Sequence, residues 1–131
     1  MSRSPVLVAD SITKSYASAY EAKDAGAYLS LFSGDADYVD YGVQVHSKIG
    51  ALREELFRSF ERETFRLLIR SLFVSADGRF AALQGTFTDT ARSGDVVSVA
   101  IVSVLEIRDG KIIKESLYYD GSLFKRHFHA A

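Results

Sequence analysis

The chain has 131 residues, 47% of them hydrophobic and 12% aromatic, which fits one domain spanning 1–131 with a core of its own. Sixteen basic residues against seventeen acidic ones leave no field to gather nucleic acid or an anionic membrane, and neither is expected as a partner. With no cysteine, disulfides, thiolate nucleophiles and cysteine-ligated zinc are excluded.

The opening MSRSPVLVAD has a four-residue apolar run ended by Asp10, too short for the core of a secretion signal. Residues 96–105, VVSVAIVSVL, are too few to cross a bilayer as a helix, so a cytoplasmic location is expected. Asp10 or Ser11 is expected to cap a first helix whose face carries Ile12, Tyr16, Ala19 and Tyr20. A second short face follows at Ala25, Tyr28, Leu29 and Phe32, with Gly34 suited to end it. YVDYGVQVH, 38–46, then reads as a short hairpin in which a carboxylate, two phenols and an imidazole sit among valines. Ser47 is expected to cap a third helix with a stripe of Ile49, Leu52, Leu56 and Phe60. Its other side alternates in charge, includes the Glu54–Arg58 pair, and reads as a solvated face.

From Thr64 onward the period changes. Phe65 to Ser75, Phe80 to Thr90, Val96 to Ile107 and Lys111 to Asp120 are rich in β-branched and aromatic residues, and two of the three turns between them contain Asp-Gly. An antiparallel meander follows. Val96–Leu105 is apolar at both parities, so both of its faces should be covered. The helices cover one; a second copy of the chain is expected on the other, giving a homodimer through the sheet. The fold class is α+β: a cone of three N-terminal helices packed on a curved, mostly antiparallel sheet that encloses a pocket.

Three stretches carry a resemblance to a known family. AYEAKDAGAYLSLFSGDADYVDYG, VHSKIGALREEL and LEIRDGKIIKESLYYD together resemble the nuclear-transport-factor-2-like superfamily, in its SnoaL-like and ketosteroid-isomerase-like branch. That resemblance implies the cone fold but not one activity, because the fold hosts isomerases, cyclases, dehydratases, epoxide hydrolases and non-catalytic binders. In ketosteroid isomerases a helix-one tyrosine and a second acid form the oxyanion hole, and a first-strand aspartate moves the proton. Tyr16 and Asp40 match that tyrosine-to-base spacing, and the second donor's position holds Ser103. The terminal run resembles that of polyketide cyclases and epoxide hydrolases, with Leu117 where those carry an acid and Asp120 retained. By alternation Glu115, Leu117 and Tyr119 share one face, and Ser116, Tyr118 and Asp120 the other.

Each candidate also has a plainer reading. Asp40, sharing its parity with Tyr38, is either a general base desolvated in an apolar cone or a turn aspartate before Tyr-Gly. Tyr16 is either a donor to a ligand oxygen or a core phenol bonded to a neighbour. Tyr119 could line the pocket as an aromatic wall. His46 is a cavity-mouth acid/base or an exposed loop histidine. Glu115 points inward in one register and outward if it slips by one. Gln84 and Thr86 have no assignable face. His127 and His129 form an HxH without a third ligand at a suitable spacing, so no metal is expected. The expected function is cofactor-free acid/base chemistry through an enolate on a hydrophobic carbonyl compound. Asp40 and Tyr16 would be catalytic, and Tyr38, Ser103, Tyr119, His46 and Glu115 would contact substrate. The alternative is a carrier of apolar ligands or a dimerising interaction domain.

Overall fold

The computed structural model describes residues 4–62, 64–90 and 93–122. The first helix, α1 (Pro5–Glu21), starts earlier than Asp10. Ser4 is the cap, its hydroxyl accepting from Leu7 N at 3.2 Å, and Pro5 fills the first helical position, where a missing N–H costs nothing. Asp10 instead pairs with Lys14 on the solvent side, 2.9 Å away. Ile12, Tyr16, Ala19 and Tyr20 form the buried face.

Lys23, at a φ of 56°, makes the turn into α2 (Ala25–Leu29), which Asp24 caps by accepting from Ala27 N. Phe32 is not part of that helix. It opens β1 (Phe32–Asp40), because its backbone neighbour is Ile112 of the sheet. β2 (Val45–Lys48) contains Ser47, paired with Tyr38, so Ser47 does not cap a helix. A 3-10 turn over Ile49–Leu52 leads instead into α3 (Arg53–Glu61), with no side-chain cap.

The remaining strands are β3 (Arg66–Val74), β4 (Phe80–Thr90), β5 (Val96–Arg108) and β6 (Lys111–Tyr118). They form one six-stranded sheet in the order β2-β1-β6-β5-β4-β3, antiparallel except where β1 runs parallel to β6. Asp109 and Gly110 both have positive φ, the backbone that a two-residue hairpin turn of matching twist requires. Gly78 has a φ of 73° and lies so close to α1 that a Cβ there would meet the Pro5 carbonyl at 2.4 Å. The β3–β4 turn is thereby pressed onto the start of α1.

Strict alternation along β5 sorts the two sheet faces: Val97, Val99, Ile101, Ser103, Leu105 and Ile107 are buried, and the residues between them are not. The inner face meets α1, α2 and α3 in a continuous core rich in aromatic rings. The architecture is α+β, with helices packed on one side of a curved, mostly antiparallel, open sheet. No helix among the described residues is long and apolar enough to cross a membrane.

Candidate active site

Strand register decides which side chains meet. Asp40, Leu117, Ser103 and Leu83 lie in one cross-strand row over β1, β6, β5 and β4. Tyr38, Glu115, Leu105 and Ala81 form the next row, two residues further from the rim. Both rows face the helices, so a carboxyl group from each of two parallel strands enters the same interior.

Asp40 is 8% exposed. Its Oδ1 accepts from Gly42 N at 3.0 Å and Val43 N at 3.2 Å, which closes the β1–β2 turn. Its Oδ2 accepts from the Tyr119 hydroxyl at 3.0 Å. The Tyr119 ring covers Gly42 so closely that a Cβ there would lie 2.2 Å from a ring carbon. Burial raises the proton affinity of Asp40 above that of an ordinary aspartate. The Tyr119 hydroxyl, the two N–H groups and the Tyr38 hydroxyl act against that rise. Asp40 is therefore a turn aspartate and an inward-facing one together.

Glu115 is completely enclosed, at 0% exposure. Its Oε2 accepts from the Tyr16 hydroxyl at 2.9 Å, and its Oε1 accepts from Tyr28. Burial pushes its carboxyl up to about 7; the Tyr28 and Tyr16 hydroxyls pull it down, and the Asp40 charge adds to the rise. Tyr16 Oη also lies 3.1 Å from Ser103 Oγ. Tyr20 packs between Tyr16 and Tyr28, its ring centre 5.0 and 5.2 Å from theirs. Burial, then the Glu115 charge, raises all four phenols Tyr16, Tyr20, Tyr28 and Tyr38 well above the usual tyrosine range.

The structure thus brings together Asp40 with Tyr38 and Tyr119, and Tyr16 with Ser103 and Glu115. His46 stands apart: it is exposed and pairs with Val39, whose side chain lies on the opposite sheet face from Asp40. Gln84 and Thr86 pair with Val102 and Ala100 on the outer face as well. His127 and His129 lie outside the described residues. Sequence reasoning gave Tyr20 and Tyr28 only a packing role, although each is a phenol on an apolar helix face and so needs a buried acceptor. Asp89 was not singled out either. It is buried, accepts from Thr64 Oγ1 at 2.6 Å and pairs with Arg62 at 2.8 Å, pinning the exit of α3 to the end of β4.

Among the described residues no group of three histidine or acidic side chains could hold a metal ion. A separate cleft of about 470 Å³ opens at the other end of β6, between Pro5, Val8, Phe80, Ile107 and Ile113, with charged residues such as Arg79 and Arg108 also lining it. Neither Asp40 nor Glu115 lines it.

The chain belongs to the SnoaL-like domain family, whose model matches residues 12–115. No curated protein matches it. Among solved structures it is similar to Bal32a from a soil-derived mobile gene cassette, at 18% identity and a TM-score of 0.81, covering 95% of this chain and 98% of that one. It is also similar to a proposed polyketide cyclase from Xanthomonas campestris pv. campestris, at 16% identity and a TM-score of 0.78, over 95% and 98% of the two chains. TerC, co-crystallised with polyporic acid, matches at 18% identity and a TM-score of 0.74, over 94% and 99%. At these identities the likeness is one of fold.

Proposed function

We propose that the protein is an isomerase or cyclase of a hydrophobic carbonyl-containing small molecule, working without a cofactor by acid/base chemistry through an enolate. The observation that carries this reading is the row Asp40–Leu117–Ser103. It sets a carboxylate of raised proton affinity and a hydroxyl two strand spacings apart, about 10 Å, with one leucine between them. A ligand lying over Leu117 has a proton acceptor at one end and a hydrogen-bond donor at the other. Asp40 takes a proton from the carbon beside the carbonyl and returns it elsewhere. Ser103, backed by Tyr16, stabilises the oxygen on which charge develops. Tyr38 and Tyr119 hold Asp40 and form the wall beside it. Epoxide hydrolysis is less well supported, since neither carboxyl group has an arginine ion-pair partner among the described residues.

The test is ultraviolet-monitored conjugation of a panel of β,γ-unsaturated ketones by wild type and Asp40→Asn. Turnover in the variant should fall by roughly 10²- to 10⁴-fold, the share a general base usually supplies. An unchanged rate would remove Asp40 from the mechanism.

One observation favours a second reading, a carrier without chemistry: both oxygens of Asp40 already accept hydrogen bonds from the protein. A carrier would bind an apolar probe equally well with asparagine at position 40.

The outer sheet face supports a homodimer. Leu68, Phe73, Phe80, Val96, Val102 and Tyr118 are exposed on it, and its centre, from Ala82 to Thr88 and Ser98 to Val104, carries no charged residue. A second copy of that face is neutral and apolar in the same places, so two copies are complementary.

A further inference from the structure

Glu115 is a buried titratable group that the chemistry above leaves without a task. Its surroundings suggest one. Tyr16 Oη bonds to Glu115 Oε2 at 2.9 Å and Ser103 Oγ at 3.1 Å, with the Tyr20 hydroxyl as a further partner, and a phenol has a single proton to donate. When Glu115 is a carboxylate it has no proton of its own, so Tyr16 donates to it, and the lone pairs of Tyr16 Oη are left to accept from the Ser103 and Tyr20 hydroxyls. When Glu115 is a carboxylic acid its O–H can donate to Tyr16 Oη. The Tyr16 proton then turns to Ser103 Oγ, and the Ser103 proton is released toward the row it shares with Leu117 and Asp40.

We infer that Glu115 is a positioning residue that acts through Tyr16 and sets whether Ser103 presents an acceptor or a donor to the ligand. This rests on the reading of the Asp40–Leu117–Ser103 row as the ligand site. Tyr16 is itself sealed from that site, at 0% exposure, so its influence passes through Ser103. The chain Glu115–Tyr16–Ser103 links β6, α1 and β5, and a carbonyl or enolate oxygen needs its donor form.

The titratable groups facing Glu115 are Tyr16 and Tyr20 of α1, Tyr28 of α2, and Tyr38 and Asp40 of β1. α3 contributes Phe60, packed on Tyr20 and Tyr28, and β5 contributes the Ser103 hydroxyl. All of the titratable partners are acids, so the charge they bring near neutrality is the negative one of Asp40. The working form has Asp40 ionised and Glu115 protonated; burial raises both carboxyl groups, and Glu115, fully enclosed, is the one carried to about 7. Turnover should rise as Asp40 loses its proton and fall as pH passes the Glu115 midpoint near 7.

The experiment is a carbon-13 NMR titration of the whole chain labelled at glutamate Cδ, tyrosine Cζ and serine Cβ, from about pH 5 to 9. The Glu115 signal should move near neutrality, with the Tyr16 and Ser103 signals moving at the same midpoint. In Glu115→Gln, whose amide donates at every pH, both should stay still. In Tyr16→Phe the Ser103 signal should no longer follow Glu115. A Ser103 signal indifferent to Glu115, or one that still follows it in Tyr16→Phe, overturns the relay. On any ketone the wild type turns over, kcat should decline above the Glu115 midpoint and stay level in Glu115→Gln; the same decline in both overturns the relay as well. The spectroscopic result does not depend on Asp40. Full activity in Asp40→Asn beside a coupled Ser103 signal would therefore refute the base and leave the relay standing.

Discussion

A single enclosed carboxyl group gives this fold a pH-dependent stability whose sign follows from direction alone. Glu115 goes from 4.5, its ordinary value, when unfolded to about 7 when folded, so the folded chain holds its proton more tightly. Its contribution is fully present below about 4.5, is lost as pH rises toward 7, and is constant above that. At roughly 1.4 kcal/mol per pH unit the loss is about 3 kcal/mol. Glu115→Gln, which does not titrate, should therefore gain on wild type by about that amount between pH 4.5 and 7.5, as chemical denaturation at several pH values would read. Equal pH dependence in the two proteins would show that Glu115 does not carry it. Asp40 offers a second check at this scale. Tyr119 donates to Oδ2 and holds the Asp40 proton affinity down, so Tyr119→Phe should raise the Asp40 titration midpoint seen by carboxyl NMR. How much of this was legible in the sequence varies from residue to residue. Alternation alone put Glu115, Leu117 and Tyr119 on one face, and the register sets Glu115 and Leu117 inward. That Glu115 would meet Tyr16 and Tyr28 was not legible, because those contacts span 99 and 87 residues of chain. No local pattern encodes an approach of that length.

Among the elements, the strands were the more readable. The Asp109-Gly110 turn and the period of two fixed β5 and β6 to within a residue or two, because positive-φ turn chemistry is local. Helix starts were less readable. Val6-Leu7-Val8 has no helical period, so Ser4 and Pro5 went unrecognised as a cap and a first turn, though serine before proline is a sound start signal. The Ser4 cap is a testable element. Ser4→Ala removes the acceptor for Leu7 N and should destabilise the protein by about 1 kcal/mol, whereas Ser4→Asp should restore most of that. Thermal unfolding of the two variants side by side would check it; equal midpoints would mean that α1 does not rely on its cap. Gly78 bears on the same end of α1. Both its positive φ and the Pro5 carbonyl 2.4 Å from a Cβ oppose a side chain, so Gly78→Ala should cost more than about 1 kcal/mol.

For the whole molecule, the outer sheet face is the feature with most at stake. Phe73 is 59% exposed and Val96 65%, on a face whose centre has no charge to keep other chains away. Light scattering should give a mass near twice the chain's 14.5 kDa. Val102→Lys, which puts a charge in the middle of the patch on each copy, should halve that mass while leaving the circular dichroism unchanged. A wild-type monomer would send the explanation of the patch elsewhere. The apolar run Val96–Leu105 made a strand with two apolar faces legible in the sequence; the structure buries its odd-numbered residues on the helix side and leaves Val96 and Val102 exposed.

The one parallel pairing in the sheet, β1 beside β6, has a consequence in time. β3 to β6 meet through short hairpins, whereas Asp40 reaches its row only when residue 117 arrives, 77 positions along the chain. Closing that loop comes late, since its entropy must be spent before its contacts reward it. The hairpins should therefore set the folding rate, and the carboxyl groups should be brought together afterwards. Stopped-flow kinetics would show this as variants of Tyr38 that hasten unfolding with little effect on folding, and variants of Leu83 and Leu105 that slow folding. The site would then be the last part of the molecule to exist and the first to be lost.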